Sequence, residues 1–387
     1  MNRKSCTLVA AAISTLILLG ACGSLSGDSS ENNPSATAAS PTVAGTSATR
    51  ATSSGGATMS MGEHTPIPAN TDPLSPAEIY QKSRKAVFLV YGRQPDGSYT
   101  WGTAFIHDLN GEVAITNAHV VDGIQGPNAV FFDGTEQPVV VVGSDPCADL
   151  AVIRVSGDLP MGSVRLPLGD SDTLAPGDEL TAIGYPVGGQ AELGGARAVP
   201  STGLVQDLGV RADIDPSLPE YVGAIQHGAT LRPGSSGGPL LDNKGNVVGV
   251  NSMAGPADPR GHSYSIPINA AHHETDKLMT GQTVNSLGWT LAPHGANRPR
   301  ADVEGALQEA GYGGGLFVES IQPGGPVDGR VQVGDLVSKL NNRPVNTQQD
   351  VCDVVESTSP GRVMTADGIH VFSKPAYRRF HVQWRVL

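Results

Sequence analysis

Residues 86–266 carry two sets of roughly six short apolar runs at close spacing, a pattern that suggests paired barrels or a sandwich. The first set covers 86–91, 103–106, 113–116, 129–132, 139–143 and 151–155. The second covers 179–185, 201–208, 224–227, 239–242, 247–251 and 263–266. Gly, Asp, Asn and Pro punctuate both sets, and that chemistry ends strands. Composition agrees. The 387 residues include 49 Gly and 29 Pro, and only 16% are charged, against a usual share of about 25%. Such a chain makes turns and short strands; a long helical bundle or coiled coil is excluded. At about 150 residues per domain, the length fits two to three domains.

The N-terminus sets the expected compartment. Arg3 and Lys4 precede an apolar stretch over 9–19 that is short for a membrane span. Leu19-Gly20-Ala21-Cys22 follows and resembles the lipobox of bacterial lipoproteins. That resemblance implies a signal peptide over 1–21, lipidation at Cys22, and an anchor on the extracytoplasmic face of the cell membrane. Residues 22–73 are dominated by Ser, Thr, Ala, Gly and Pro. They bury too little to offset ordering entropy and read as a flexible tether. Beyond the strand sets, Asn269 is the expected cap of a helix over 270–279. A third unit follows over 283–387, with strands at 316–321, 336–340 and near the C-terminus, and helices near 303–309 and 348–356.

Charge and cysteine spacing remove several functions. A formal charge of -12 offers no basic footprint, which disfavours nucleic acid as the partner. The four Cys contain no C-x-x-C pair and no H-E-x-x-H occurs, so neither a structural zinc nor metal catalysis is expected. An exported chain would retain Cys147 and Cys352, either bridged or as separate thiols.

Three segments carry chemistry. Thr116-Asn117-Ala118-His119-Val120-Val121 puts His119 at the end of a strand, and Asp149 opens the run Asp149-Leu150-Ala151-Val152-Ile153-Arg154. Ser236 lies in the glycine-rich turn Pro233-Gly234-Ser235-Ser236-Gly237-Gly238-Pro239. A Ser hydroxyl attacks a carbonyl only when a base removes its proton. Histidine has the proton affinity for that work, and a buried Asp fixes its tautomer and stabilises the imidazolium. Flanking glycines let backbone N–H groups approach the developing oxyanion. The turn also satisfies G-x-S-x-G, the nucleophile elbow of α/β-hydrolases. That alternative needs a helix after the Ser, where Gly237, Gly238 and Pro239 stand. The order His, Asp, Ser is instead that of chymotrypsin-like enzymes.

From about residue 74 to the end, the sequence resembles the HtrA (DegP-type) family of trypsin-like serine proteases with a C-terminal PDZ domain. The likeness rests on Trp101-Gly102-Thr103-Ala104-Phe105-Ile106, TNAHVV at Thr116, DLAVIRV at Asp149, AIGYPVGG at Ala182, STGLVQDLG at Ser201, PGSSGGPLLD at Pro233, GNVVGVNS at Gly245 and SYSIPIN at Ser263. It implies a mainly β chain: a chymotrypsin-like double six-stranded barrel over 74–282, then a small α+β PDZ domain over 283–387. It implies His119 as general base, Asp149 as its orienter and Ser236 as nucleophile, with the N–H groups of Gly234 and Ser236 as oxyanion hole. Thr230 and Leu231 would form the base of the specificity pocket, and Ser252 to Ala254 a wall. With no acidic residue there, small or medium apolar side chains fit better than Lys or Arg. Arg232 and Ser235 depart from the family's two Asn, and Gly228 stands where an Asp is usual; these departures bear on loop order and substrate preference.

In the third unit, Leu287, Gly288 and Trp289 match the carboxylate-binding loop of such PDZ domains, which add a peptide strand to a sheet edge. The implied activity is endopeptidase cleavage of unfolded or mislocalised exported proteins through an acyl-enzyme, without a cofactor. The implied partners are polypeptide substrates and C-terminal peptides, and family members are commonly homotrimers. A catalytically silent chaperone or scaffold is the competing expectation.

Overall fold

The computed structural model describes residues 68–95, 97–108, 113–186, 195–254, 261–293, 300–371 and 377–386. The expected signal peptide, the lipidation site Cys22 and most of the tether lie outside the described residues. Helix α1 (Pro76–Ser83) opens the fold. Its N-cap, Ser75, forms a reciprocal capping box with Glu78, which satisfies N–H groups that a helix start leaves free.

Six antiparallel strands follow: β1 (Val87–Arg93), β2 (Tyr99–Asp108), β3 (Val113–Thr116), β4 (Gln125–Val130), β5 (Glu136–Asp145) and β6 (Leu150–Val155). They close into a barrel in the order β1-β2-β3-β6-β5-β4. A second barrel consists of β7 (Glu179–Gly184), β8 (Val199–Ala212), β9 (Tyr221–His227), β10 (Pro239–Leu241), β11 (Val247–Ala254) and β12 (Ser263–Pro267). It closes in the order β10-β11-β12-β9-β8-β7. The chain is thus mainly β with the double six-stranded barrel the sequence predicts.

The unbroken apolar runs have a geometric cause. Side chains alternate across a strand, so a strand that is apolar at every position must be buried on both faces. In β1, Phe88 and Val90 fill the first barrel. Val87 and Leu89 point the other way, into a cluster shared with Ile183, Leu241, Val247 and Val250 of the second barrel. That shared cluster welds the barrels together, and the candidate site lies along the same seam.

Helix α2 (Ala118–Val121) is a single turn after β3, and helix α3 (Ile268–Leu278) follows β12. The cap of α3 differs from expectation. Pro267 is the N-cap, without a side-chain hydrogen bond. Asn269 sits inside the first turn, and its Nδ2 donates to Asp170 Oδ1 at 2.8 Å. Buried Ile268 draws the helix start forward, because its side chain belongs to the shared core.

The third unit is a sheet of β13 (Trp289–Pro293), β14 (Leu316–Ile321), β15 (Leu336–Leu340), β16 (Arg343–Pro344), β17 (Val363–His370) and β18 (Arg378–Arg385), with helices α4 (Arg300–Ala310) and α5 (Gln348–Glu356). The order is β13-β14-β15-β17-β18, with β16 paired to β15, so β13 is an edge strand. Val351, Val354 and Val355 of α5 pack on Leu291, Val318, Val337 and Met364. Val303, Ala306 and Leu307 of α4 pack with Phe317, Leu336 and Ile369.

This unit is fastened to the barrels at several points. Cys147 and Cys352 form a disulfide with Cα atoms 5.5 Å apart. The Gln348 N–H donates to the Pro216 carbonyl at 2.8 Å, and the Glu220 N–H to Gln349 Oε1 at 2.8 Å. Asn285 Nδ2 donates to the Asp145 carboxylate at 3.0 Å.

Candidate active site

His119 and Asp149 come from the segment after β3 and the residue before β6, two paired strands of the first barrel. The α2 turn starts at Asn117, whose buried Nδ2 donates to the Asp149 carbonyl at 2.8 Å. His119 therefore lies one residue into a helical turn rather than at a strand end. Its N–H donates to Asp149 Oδ1 at 3.1 Å, and its Nδ1 lies 2.9 and 3.0 Å from Oδ1 and Oδ2. Asp149, 1% exposed, precedes β6 in the left-handed region at φ 51°. A non-glycine residue is held there only by its surroundings, and such strain gathers at functional sites. Burial disfavours the imidazolium of His119. The charge and hydrogen bond of Asp149, aided by Asp122 and Asp215, outweigh burial and hold the pKa above the ordinary value.

Ser236 comes from the second barrel, on the turn before β10. Thr103 of β2 anchors that turn: its N–H donates to the Ser236 carbonyl at 2.7 Å and its Oγ1 to the Gly234 carbonyl at 2.6 Å. Gly237 is irreplaceable. Its φ is +83°, and a Cβ there would lie 2.1 Å from the Thr103 carbonyl oxygen and 2.3 Å from Thr116 Oγ1. Pro233 and Gly234 occupy the centre of a turn closed by Ser235 N–H to Arg232 carbonyl at 2.8 Å. Gly234 takes φ +95°, which suits the third position of a type II turn. Ser235 orders the turn further, since its Oγ accepts the Arg232 N–H at 3.3 Å. Among the described residues, the N–H groups of Gly234 and Ser236 donate to no protein acceptor.

The Ser236 hydroxyl donates to the Ser252 carbonyl. A hydroxyl has one proton, so while it makes this bond it donates none to His119. Ser252, expected in a pocket wall, turns its own hydroxyl to Tyr221 and lies 3.4 Å from Asp149 Oδ2. Leu231 is buried in the second barrel's core, its N–H on Ser263 Oγ at 3.2 Å. Thr230 is exposed. Ala254 ends β11, opposite Ser263. Two residues that sequence reasoning did not single out take part: Thr103, and Tyr221, whose hydroxyl donates to Asp149 Oδ2 at 2.7 Å.

In the third unit, Gly288 takes φ +73°, and its N–H donates to Ser286 Oγ at 3.2 Å. Leu287 and Trp289 are buried in the unit's core, and Trp289 opens β13 rather than lying wholly in a loop. A cavity of about 260 Å³ brings Leu287, Trp289, Gln348 and Val351 together with His119 and Asp149.

Residues 102–250 match the family model of the trypsin-like peptidase domain. The putative serine protease HhoB of Synechocystis sp. is 33% identical over 271 residues, 67% of this chain and 61% of that protein. The putative serine protease HhoA of the same organism is 29% identical over 325 residues, 81% and 78% of the two chains. A probable periplasmic serine endoprotease DegP-like of Ectopseudomonas mendocina is 31% identical over 280 residues, 71% of this chain and 55% of that one. The chain thus spans less than two thirds of the length of HhoB and of the DegP-like protein. On these matches, residues 102–250 carry a trypsin-like peptidase domain, and the chain is similar over about two thirds of its length to HtrA/DegP-type serine proteases.

Proposed function

We propose that this chain is a serine endopeptidase that cleaves unfolded or mislocalised exported polypeptides on the extracytoplasmic side of a membrane. The carrying observation is the His119 Nδ1 held within 3.0 Å of both oxygens of a buried carboxylate. In the proposed cycle Ser236 Oγ attacks the scissile carbonyl and its proton passes to His119 Nε2. Asp149 stabilises the imidazolium through Nδ1. The oxyanion is received by the N–H groups of Gly234 and Ser236. Collapse of the tetrahedral intermediate delivers the proton to the leaving amine and leaves an acyl-enzyme, which water hydrolyses by the same route.

In this reading residues 74–282 are the protease domain and 283–387 a PDZ domain, with Leu287, Gly288 and Trp289 as its carboxylate loop. Residues 1–21 are a signal peptide, and a lipid on Cys22 anchors the chain through the 22–73 tether. The edge position of β13 supports peptide capture by strand addition. Thr230 and Leu231, the residues matched to the pocket base, carry no acid, which supports small or medium apolar residues before the cleaved bond.

One observation favours a second reading, a latent protein with a chaperone or scaffold role: the Ser236 hydroxyl rests on the Ser252 carbonyl. Catalysis requires that hydroxyl to rotate toward His119. The deciding experiment incubates an unfolded protein with the purified chain and with Ser236→Ala, with and without C-terminal peptides. Fragments from the wild type alone establish the peptidase; loss of turnover by about six orders of magnitude is expected in the variant. Suppressed aggregation without fragments, equal in both and under every peptide, establishes the chaperone.

A further inference from the structure

We infer that Tyr221 is a positioning residue for Asp149, and that helix α5 of the third unit sets where Tyr221 stands. This rests on the serine-protease reading of the site. Asp149 has two oxygens to satisfy in a buried place. His119 engages Oδ1 through its N–H and both oxygens through Nδ1. Tyr221 supplies the short hydrogen bond to Oδ2, at 2.7 Å. Ser252 stands behind Tyr221 and donates to its hydroxyl. The phenol therefore has one defined role, donor to the carboxylate and acceptor from Ser252. Burial first, and the nearby Asp149 charge second, push its pKa far up, so the donor keeps its proton. Asp149 also holds a left-handed backbone, which needs outside support.

Tyr221 is the first residue of β9, and the segment leading into it is gripped by the first turn of α5. The Pro216 carbonyl accepts the Gln348 N–H. The Glu220 N–H, one residue before Tyr221, donates to Gln349 Oε1. The same helix carries Cys352, bonded to Cys147, two residues before Asp149. Two tethers from one helix thus converge on one carboxylate, one through Tyr221 and one through the disulfide.

The test is Tyr221→Phe. Removing a donor leaves more negative charge on Asp149 toward His119, so the imidazolium gains stability. The other charged or titratable groups acting on this pair are Asp122 and Asp215, which the substitution leaves in place. Titration of the His119 ring is followed by NMR, which needs no turnover. We expect its pKa to rise by about half a pH unit. We expect kcat to fall roughly tenfold with KM unchanged, the size of one hydrogen bond to a charged group. Gln349→Ala carries the same prediction in smaller measure, independently of whether Tyr221→Phe folds. In the Tyr221→Phe background it should add nothing. An unmoved His119 titration in folded Tyr221→Phe, or a loss confined to KM, overturns the role of Tyr221. Additive effects of the two substitutions, or an unmoved titration in Gln349→Ala, overturn the link to α5. Failure of the peptidase reading itself shows elsewhere, as fragments absent from the wild type or equal to those of Ser236→Ala.

Discussion

The two barrels share a strand order and differ inside. The first is filled by apolar side chains, with the tilted rings of Phe88 and Phe131 4.8 Å apart between centroids. Among its buried polar residues, Thr103, Thr116, Asn117 and Asp149 hold the Ser236 turn and the His119 turn. The second barrel carries polarity within. Buried His227 Nε2 lies 3.0 Å from Ser265 Oγ, which donates to Asn251 Oδ1 at 3.1 Å. Asn251 Nδ2 then donates to the Pro239 carbonyl at 3.0 Å. Its backbone closes on the Ser236 turn, accepting from Gly237 at 2.7 Å and donating to Gly238 at 2.8 Å. The comparison teaches a division of labour. Apolar filling sets a volume that many side chains could fill; the polar chain specifies one orientation for the turn that bears Ser236.

The largest expected effect concerns the link between the first barrel's rim and the third unit. The disulfide closes a loop across 205 residues. In the chain-entropy account a loop of that length contributes about 5 kcal/mol. Denaturant unfolding of Cys147→Ser/Cys352→Ser should show a loss approaching that size, with hydrogen exchange rising first around Asp149 and α5. Equal loosening in the second barrel would break the division.

Phe88→Ala should cost about 4 kcal/mol by opening a cavity in the first barrel, with kcat on a short peptide preserved in the folded fraction. Asn251→Ala removes two hydrogen bonds and should cost about 2 kcal/mol. Its effect on kcat should nevertheless be the larger, because the Ser236 turn leans on it. The reverse ranking of kcat would sink the distinction.

Acid should single out the second barrel. Burial pushes the His227 pKa down to about 4. The native state therefore refuses a proton that the unfolded chain accepts near pH 6.5. This contribution to stability is complete above that pH and is lost as pH falls to 4, by about 3 kcal/mol. Asp122 and Asp145 act in the opposite sense, because burial raises their pKa values to about 7 and about 6. The measurement is thus a difference: stability of the wild type minus that of His227→Gln, followed from pH 7 to 4. A flat difference would show that His227 is not held neutral.

The barrels were legible because strands buried on both faces cannot hide their composition. Val87-Phe88-Leu89-Val90 is apolar at every position, and each residue meets one of two cores. Motif order singles out His119, Asp149 and Ser236, and the structure pairs the first two. What the sequence concealed is long-range. Nothing in Leu218-Pro219-Glu220-Tyr221 marks a phenol that reaches Asp149, 72 residues earlier. Spacing left the pairing of Cys147 with Cys352 open, since only the docking of α5 brings them together. Thr103 stood within a recognised motif, yet its hydrogen bonds to the Ser236 turn depend on how two barrels meet. Trp289 falls to a loop in the sequence reading because Leu287, Gly288 and Trp289 match a loop motif, and a motif match does not mark where the strand begins.

The smallest effect belongs to Asp122, on the first barrel's rim. Its carboxylate favours the His119 imidazolium, and the imidazolium in turn opposes the burial that raises the Asp122 pKa to about 7. The acid limb of kcat/KM in the wild type is therefore a property of the coupled pair. Asp122→Asn removes one partner and one source of negative charge. The limb should move to lower pH by a few tenths and fit a single ionisation. Tyr221→Phe moves the same limb upward. Opposite displacements from two residues on two barrels would show that each barrel tunes the base from its own side, whereas a shared direction would remove the electrostatic account of the rim.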